Sequence, residues 1–115
     1  MVERITPSAL SELLKAASDP TRRAILTLLA QHGPLRVTDI HAQFDMSLNS
    51  VSKHIKVLER AGLVRRLTNW REHLIEVQMA PLWEIDQWFA ELRSIWDLRL
   101  EALDTLIAEG NTKDE

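Results

Sequence analysis

Between positions 47 and 71 six cations, Lys53, Lys56, Arg60, Arg65, Arg66 and Arg71, stand against a single acid, Glu59. Among them lie Ser47, Asn49, Ser50 and His54. Short polar side chains of this kind can approach base edges, while lysine and arginine neutralise phosphates. The segment therefore has the composition of a nucleic-acid contact surface, although a charge run taken alone also fits an ordinary solvated face. Asn49 and Ser50 are the candidates for base contact. Lys53, Lys56, Arg65 and Arg71 are candidates for the phosphate backbone, which takes half or more of protein–DNA hydrogen bonds. His54 is expected beside the nucleic acid, the alternative being a neutral ring bonded to a neighbouring group.

Other chemistries lack their residues. The chain has no cysteine, which removes disulfides, thiolate nucleophiles and cysteine-based metal sites. Of its four histidines, His41 and His73 fall in different predicted elements with no paired ligand nearby, so both read as incidental surface residues. Neither a metal site nor a cofactor is expected. Three glycines and no GxGxxG or GxxxxGK[ST] run leave no phosphate-cradling loop. Serine, histidine and aspartate occur without a nucleophile elbow or a pair of carboxylates in a predicted cleft, so no enzyme is expected.

The elements that must position the basic segment follow from spacing and caps. Thr6-Pro7 reads as a helix start, with Leu10, Leu13, Leu14 and Ala17 on one face. Asp19-Pro20 repeats that signal for a helix over about Pro20 to His32, stopped by Gly33-Pro34. Leu35, Val37, Ile40 and Phe44 fit a short third helix broken at Asp45-Met46. Ser47 then caps a helix to Ala61 whose apolar positions Leu48, Val51, Ile55 and Leu58 are three and four apart, and Gly62-Leu63 matches a Schellman stop. Beyond it the period becomes that of strands at 63–68 and 73–79, joined by residues 69–72 with a basic tip. Pro81 opens a last helix, with Ile85, Trp88, Phe89, Leu92, Ile95, Trp96, Leu103, Leu106 and Ile107 in a wide apolar stripe down to a stop at Gly110. Some 27 residues at 1.5 Å each make a stripe of roughly 40 Å, more than one small core covers. A partner helix is implied. The order is that of a winged helix-turn-helix: mainly α, with a small β-hairpin wing.

The 115 residues, 45% of them hydrophobic and 27% charged, suit one globular domain. We expect it over 1–110, with a C-terminal dimerisation helix at 81–108 and a disordered tail at 111–115. The net charge of −3 is uneven: eleven Lys and Arg against eight Asp and Glu up to residue 79, then three against nine. No apolar stretch approaches the roughly 18 to 20 residues of a membrane span, and Met1 to Arg4 lacks a signal-peptide core, so a cytoplasmic protein without membrane partners is expected.

Two runs carry a family resemblance. Residues 14–26, LKAASDPTRRAIL, and 47–64, SLNSVSKHIKVLERAGLV, strongly resemble the ArsR-type transcriptional repressors, and the likeness extends over about residues 10–108. It implies a dimeric winged-helix repressor that sets the helix Ser47 to Ala61 in the major groove of double-stranded DNA. It also implies a homodimer through the first and last helices, for which Leu10, Leu13, Trp88, Leu92, Ile95 and Trp96 are the candidate contacts. Metal-sensing relatives carry Cys-x-Cys where this chain has Arg36 and Thr38, and others carry histidines on the last helix, where it has none from Pro81 on. It is thus similar to the cysteine-free branch. The wing of the family turns on glycine then arginine; here Trp70 precedes Arg71. Trp70 could pack on the groove wall or on the neighbouring protomer. The tryptophans Trp83, Trp88 and Trp96 are expected in core or dimer packing rather than in a ligand box.

The expected function is a sequence-specific transcriptional regulator, a repressor with its own promoter among the candidate targets, reading a pseudo-palindrome with half-sites about one helical turn apart or a multiple of it. An inducing small molecule or protein is left open. The alternative is a winged-helix adaptor that binds proteins and not DNA, which would have no use for Lys53, Lys56, Arg65 and Arg71 on one surface.

Overall fold

The computed structural model describes residues 9–113, with side chains to 110. In chain order it contains α1 (Ala9–Ala16), α2 (Pro20–His32), α3 (Val37–His41), α4 (Leu48–Arg60), β1 (Val64–Asn69), β2 (Glu72–Val77) and α5 (Met79–Lys113). Two compact units divide the chain after Ile85.

The first unit is built on caps that satisfy helix-end donors and acceptors. Asp19 accepts from the Arg22 amide at 2.9 Å, and Pro20 at the first helical position has no N–H to leave unpaired. Arg22 and Arg23 reach back to the end of α1, where the Arg22 Nε donates to the Ala16 carbonyl and the Arg23 Nη1 donates to Ala17 and Ser18 at 2.8 and 2.9 Å. These guanidinium groups close the negative end of the α1 dipole. Ser47 caps α4 through the Ser50 amide. At the other end of α4, the Gly62 amide bonds to Glu59 at 3.0 Å and the Leu63 amide to Leu58 at 2.9 Å, with Gly62 at φ 81°. That is the expected Schellman closure, and it buries Leu63 fully.

The core gathers one face of each element: Leu13 and Ala16 from α1, Ile25, Leu26 and Leu29 from α2, Ile40 from α3, Val51, Ile55 and Leu58 from α4, then Leu63, Val64 and Ile75. Leu82 and Ile85 pack against it. β1 and β2 are antiparallel, with Val64 opposite Val77 and Asn69 opposite Glu72. Leu35 adds a one-residue bridge to Ile75 through amide–carbonyl bonds of 3.0 and 2.7 Å. The mainly α architecture with a two-stranded wing is the expected one.

Several details differ from expectation. Leu35 belongs to the bridge, so α3 begins only at Val37. The hairpin loop is two residues, Trp70 and Arg71, because Asn69 and Glu72 still pair. Leu48, in the first turn of α4, overhangs the core and is exposed. The last helix starts at Met79, since Pro81 in its first turn lacks only an N–H that has no acceptor there. It also runs through Gly110 to Lys113; Gly110 does not adopt the positive φ of a helix stop, and a helical glycine costs only about 1 kcal/mol. The Thr6-Pro7 start, residues 114–115 and the side chains of the expected tail lie outside the described residues.

The second unit, from Asp86, is the rest of α5. Its large apolar side chains Phe89, Leu92, Ile95, Trp96, Leu98, Leu100, Leu103, Leu106 and Ile107 are exposed, and the Trp88 and Phe89 rings meet at 5.1 Å. Among the described residues no helix is long and apolar enough to cross a membrane.

Candidate nucleic-acid interface

The buried stripe of α4 is Val51, Ile55 and Leu58. At about 100° per residue, the positions diametrically opposite are Asn49, Lys53, Lys56 and Arg60, spaced four, three and four apart. All four are exposed. The helix thus turns a purely apolar ridge inward and a ridge of one amide and three cations outward, with no acid in its first turn. Arg60 was not among the sequence candidates, although its seven-residue spacing from Lys53 was the available signal.

The remaining candidates divide by their partners. Arg65 lies directly across from Glu76 on the wing and donates to its carboxylate at 2.7 Å. Arg66 is paired with Glu59 at 3.1 Å. Glu76 and Glu59 are therefore occupied by these arginines, and no carboxylate pairs with Lys53, Lys56 or Arg60 among the described residues. The Ser47 hydroxyl is committed to the cap, accepting from the Ser50 amide and donating to the Ser50 hydroxyl at 3.0 Å. Ser50 keeps its own hydroxyl proton to donate. Arg71 lies at the wing tip with its guanidinium 4.7 Å from the Trp70 ring centre.

His54 stands apart from the outward ridge. Its position on α4 is the flank between the two ridges, and that flank packs toward the start of α2. There its Nδ1 lies 3.4 Å from Arg22 Nη1 and 3.8 Å from an Asp19 carboxylate oxygen, with the ring half-buried. The ring bonds to neighbouring groups rather than standing on the outward ridge. Asp19 joins the α2 cap to α4 in this way. The Arg22 amide holds its carboxyl below the usual range, with the charges of His54 and Arg22 adding against partial burial. Asp39 is likewise lowered by the Arg36 guanidinium that it accepts from at 3.0 Å.

His41 is also not incidental. Half-buried, its Nε2 lies 3.0 Å from the Met46 carbonyl, an acceptor only, so the nitrogen donates. The bond ties the end of α3 to the residue before the α4 cap and sets the tight turn between the two helices. No metal-binding cluster of His, Asp or Glu occurs among the described residues.

The candidate dimer residues also separate. Leu13 is 2% exposed and belongs to the protomer's own core, not to a seam between protomers. An amphipathic helix has one apolar face, and α1 spends Leu13 and Ala16 on its own fold. Leu10 and Trp88 are half-buried, whereas Leu92, Ile95 and Trp96 remain exposed.

Comparison with known proteins agrees with this geometry. A helix-turn-helix domain family matches residues 17–66, from the end of α1 into the wing. The transcriptional repressor SdpR of Bacillus subtilis is 40% identical over 55 residues, covering 48% of this chain and 60% of that protein. The chain spans about 60% of the length of the first curated relatives it matches. A homodimeric winged helix-turn-helix domain from Mycobacterium bovis, Mb0332, shares the fold at 22% identity and a TM-score of 0.59, over 84% of this chain and 90% of that one. The crystal structure of an ArsR family transcriptional regulator, RHA00566, superposes with a TM-score of 0.71 at 34% identity, over 84% of this chain and 97% of that one. With likeness of this extent in both sequence and fold, the chain belongs to the ArsR family of transcriptional regulators.

Proposed function

We propose that the chain is a cytoplasmic transcriptional repressor that binds a pseudo-palindromic operator in double-stranded DNA as a homodimer and blocks the promoter sterically. The observation that carries this reading is the outward ridge of α4. Asn49, Lys53, Lys56 and Arg60 stand opposite the buried stripe, and Glu76 and Glu59 are held by Arg65 and Arg66. The major groove, about 12 Å wide, admits a helix presenting such a ridge. In it Asn49 is the base reader, Ser50 stands at the flank, and the lysines and Arg60 contact phosphates. Arg65 is already neutralised by Glu76, so its contribution to phosphate binding is the smaller one.

The dimer rests on α5. Of the large apolar side chains exposed beyond Asp86, all but Leu98 fall on one face, which a second copy of the same helix covers. SdpR is a repressor and Mb0332 a homodimer, and both support the same reading here. The test is a fluorescence-anisotropy titration of the protein against the duplex upstream of its own coding sequence and a scrambled duplex. The expected preference is about 10³-fold or more for the first. Equal weak binding to both would remove self-regulation, and no binding at low salt would leave the protein-binding adaptor.

A further inference from the structure

A cleft of about 470 Å³ opens between α1 and the C-terminal end of α4, a volume in the range of small-molecule sites. Its apolar wall is Ala16, Val57 and Ala61, all buried or half-buried. Alanine at 16 and 61 leaves open the space that a larger side chain would take. Its charged wall is Glu12, Lys15, Arg22 and Arg60. Such a mixture fits a ligand with an apolar body and a charged end.

The sign of that charge follows from which groups are already used. Arg22 spends its donors on the end of α1 and on α4: Nε donates to the Ala16 carbonyl, Nη2 donates to the Lys15 carbonyl at 3.4 Å, and Nη1 lies 3.4 Å from His54 Nδ1. Among the described residues, the Lys15 ammonium, the Arg60 guanidinium and the Glu12 carboxylate have no ion-pair partner. Two unpaired cations against one unpaired carboxylate leave a single positive charge, which a monoanion neutralises. Lysine and arginine both donate to carboxylate oxygens, arginine with two parallel bonds. Glu12 on the same wall repels a more highly charged ligand such as a polyphosphate.

Arg60 ties the cleft to the ridge proposed to face DNA. It is the last cation of that ridge, and besides the cleft it lines a second hollow with Lys56 and Glu59. A carboxylate held in the cleft takes up the guanidinium that otherwise meets a phosphate. We propose that the cleft binds a small organic monocarboxylate, its apolar body on Ala16, Val57 and Ala61 and its carboxylate on Lys15 and Arg60, and that this ligand weakens operator binding by withdrawing Arg60 from the phosphate backbone. The effect on the operator rests on the DNA-binding reading above; the ligand site stands without it.

The probe is benzoate, with benzyl alcohol as its neutral counterpart, titrated into the full chain at constant ionic strength and followed by amide NMR shifts. Benzoate should bind with a Kd of about 1 mM or tighter, shifting the amides of α1 and α4 that line the cleft. It should bind about tenfold more tightly than benzyl alcohol, because two charge pairs are added. Ala61→Leu fills the cleft and should abolish binding, with the spectrum of a folded protein retained. Lys15→Gln should weaken binding by about fivefold, and Glu12→Gln should tighten it by about twofold, a direction that a merely structural role would not give. In the duplex titration, saturating benzoate should lower affinity about tenfold and the salt slope by about 0.9 per protomer. Benzoate binding no tighter than that of benzyl alcohol, or unaltered by Ala61→Leu, overturns the site. Benzoate that binds in the cleft yet leaves duplex affinity and slope unchanged overturns the effect on DNA. If benzoate binds and the protein binds no duplex even without it, the DNA-binding reading falls and takes the operator effect with it, while the ligand site is upheld.

Discussion

Replacing Asp19 separates two contributions that meet at one carboxylate. As the α2 cap, Asp19 accepts from the Arg22 amide at 2.9 Å; as a charge, it lies 3.8 Å from His54 Nδ1. Losing a cap of this type costs about 1 kcal/mol, within a range of about 0.5 to 2. The carboxylate is about one-third exposed, so its charge interactions are partly screened and add only about 0.3 kcal/mol. Asp19→Ala should therefore lower the melting temperature by roughly 4–8 °C, the scale of a 1 kcal/mol change in a domain of this size. Asp19→Asn keeps a competent cap and should lose less than half of that. The pH dependence has a definite sign. The folded-state carboxyl is held below its unfolded value, so its stabilisation is fully present above the unfolded value of about 4 and is lost as the pH falls through the lower folded value. The gap between the parent and Asp19→Asn should accordingly be present at about pH 5 and close in more acid solution. Calorimetry of the three proteins from pH 7 to 2.5 decides it. An Asp19→Ala protein melting within 1 °C of the parent, or a gap to Asp19→Asn that ignores pH, would refute the assigned role.

Leu92→Asp places a charge on an exposed part of α5, so each protomer should still fold while the dimer weakens by about a hundredfold or more; sedimentation would show a shift to monomer at micromolar concentration. Leu13→Ala removes a core side chain and should cost about 2–5 kcal/mol in denaturant unfolding, an effect that a residue used only between protomers would not show in a monomeric Leu92→Asp background. His41→Ala loses the bond to Met46 and should destabilise by about 1 kcal/mol, with faster amide exchange confined to the turn between α3 and α4.

The helices were readable wherever a cap residue announced them. Asp19-Pro20 and Ser47 mark the starts of α2 and α4, and Gly62-Leu63 marks the close of α4, because these residues satisfy backbone groups locally. The outward ridge followed from the same spacing that gave the core stripe. Long-range partners were harder to read. Leu35 carries no mark that it pairs with Ile75 forty residues later, so its place in the helix pattern was equally good. His54 has the helical phase of a flank residue, and only the arrival of Asp19 and Arg22 from α2 decides what covers it. Leu13 illustrates a general ambiguity: an apolar face does not say whether its cover is the chain's own core or a second copy. The polar Asn69 and Glu72 read as part of the wing loop, yet they still pair and leave Trp70 in a conformation that its type disfavours.

The most direct test of the DNA-binding ridge is the salt dependence of duplex binding by the parent and by a Lys53→Ala/Lys56→Ala protein. Each phosphate contact contributes about 0.9 to the slope of log Kobs against log salt, so four lysines lost from a dimer should lower its magnitude by about 3.6, while a stable fold and dimer persist. An unchanged slope would place these lysines off the phosphate backbone and contradict the proposed docking of α4.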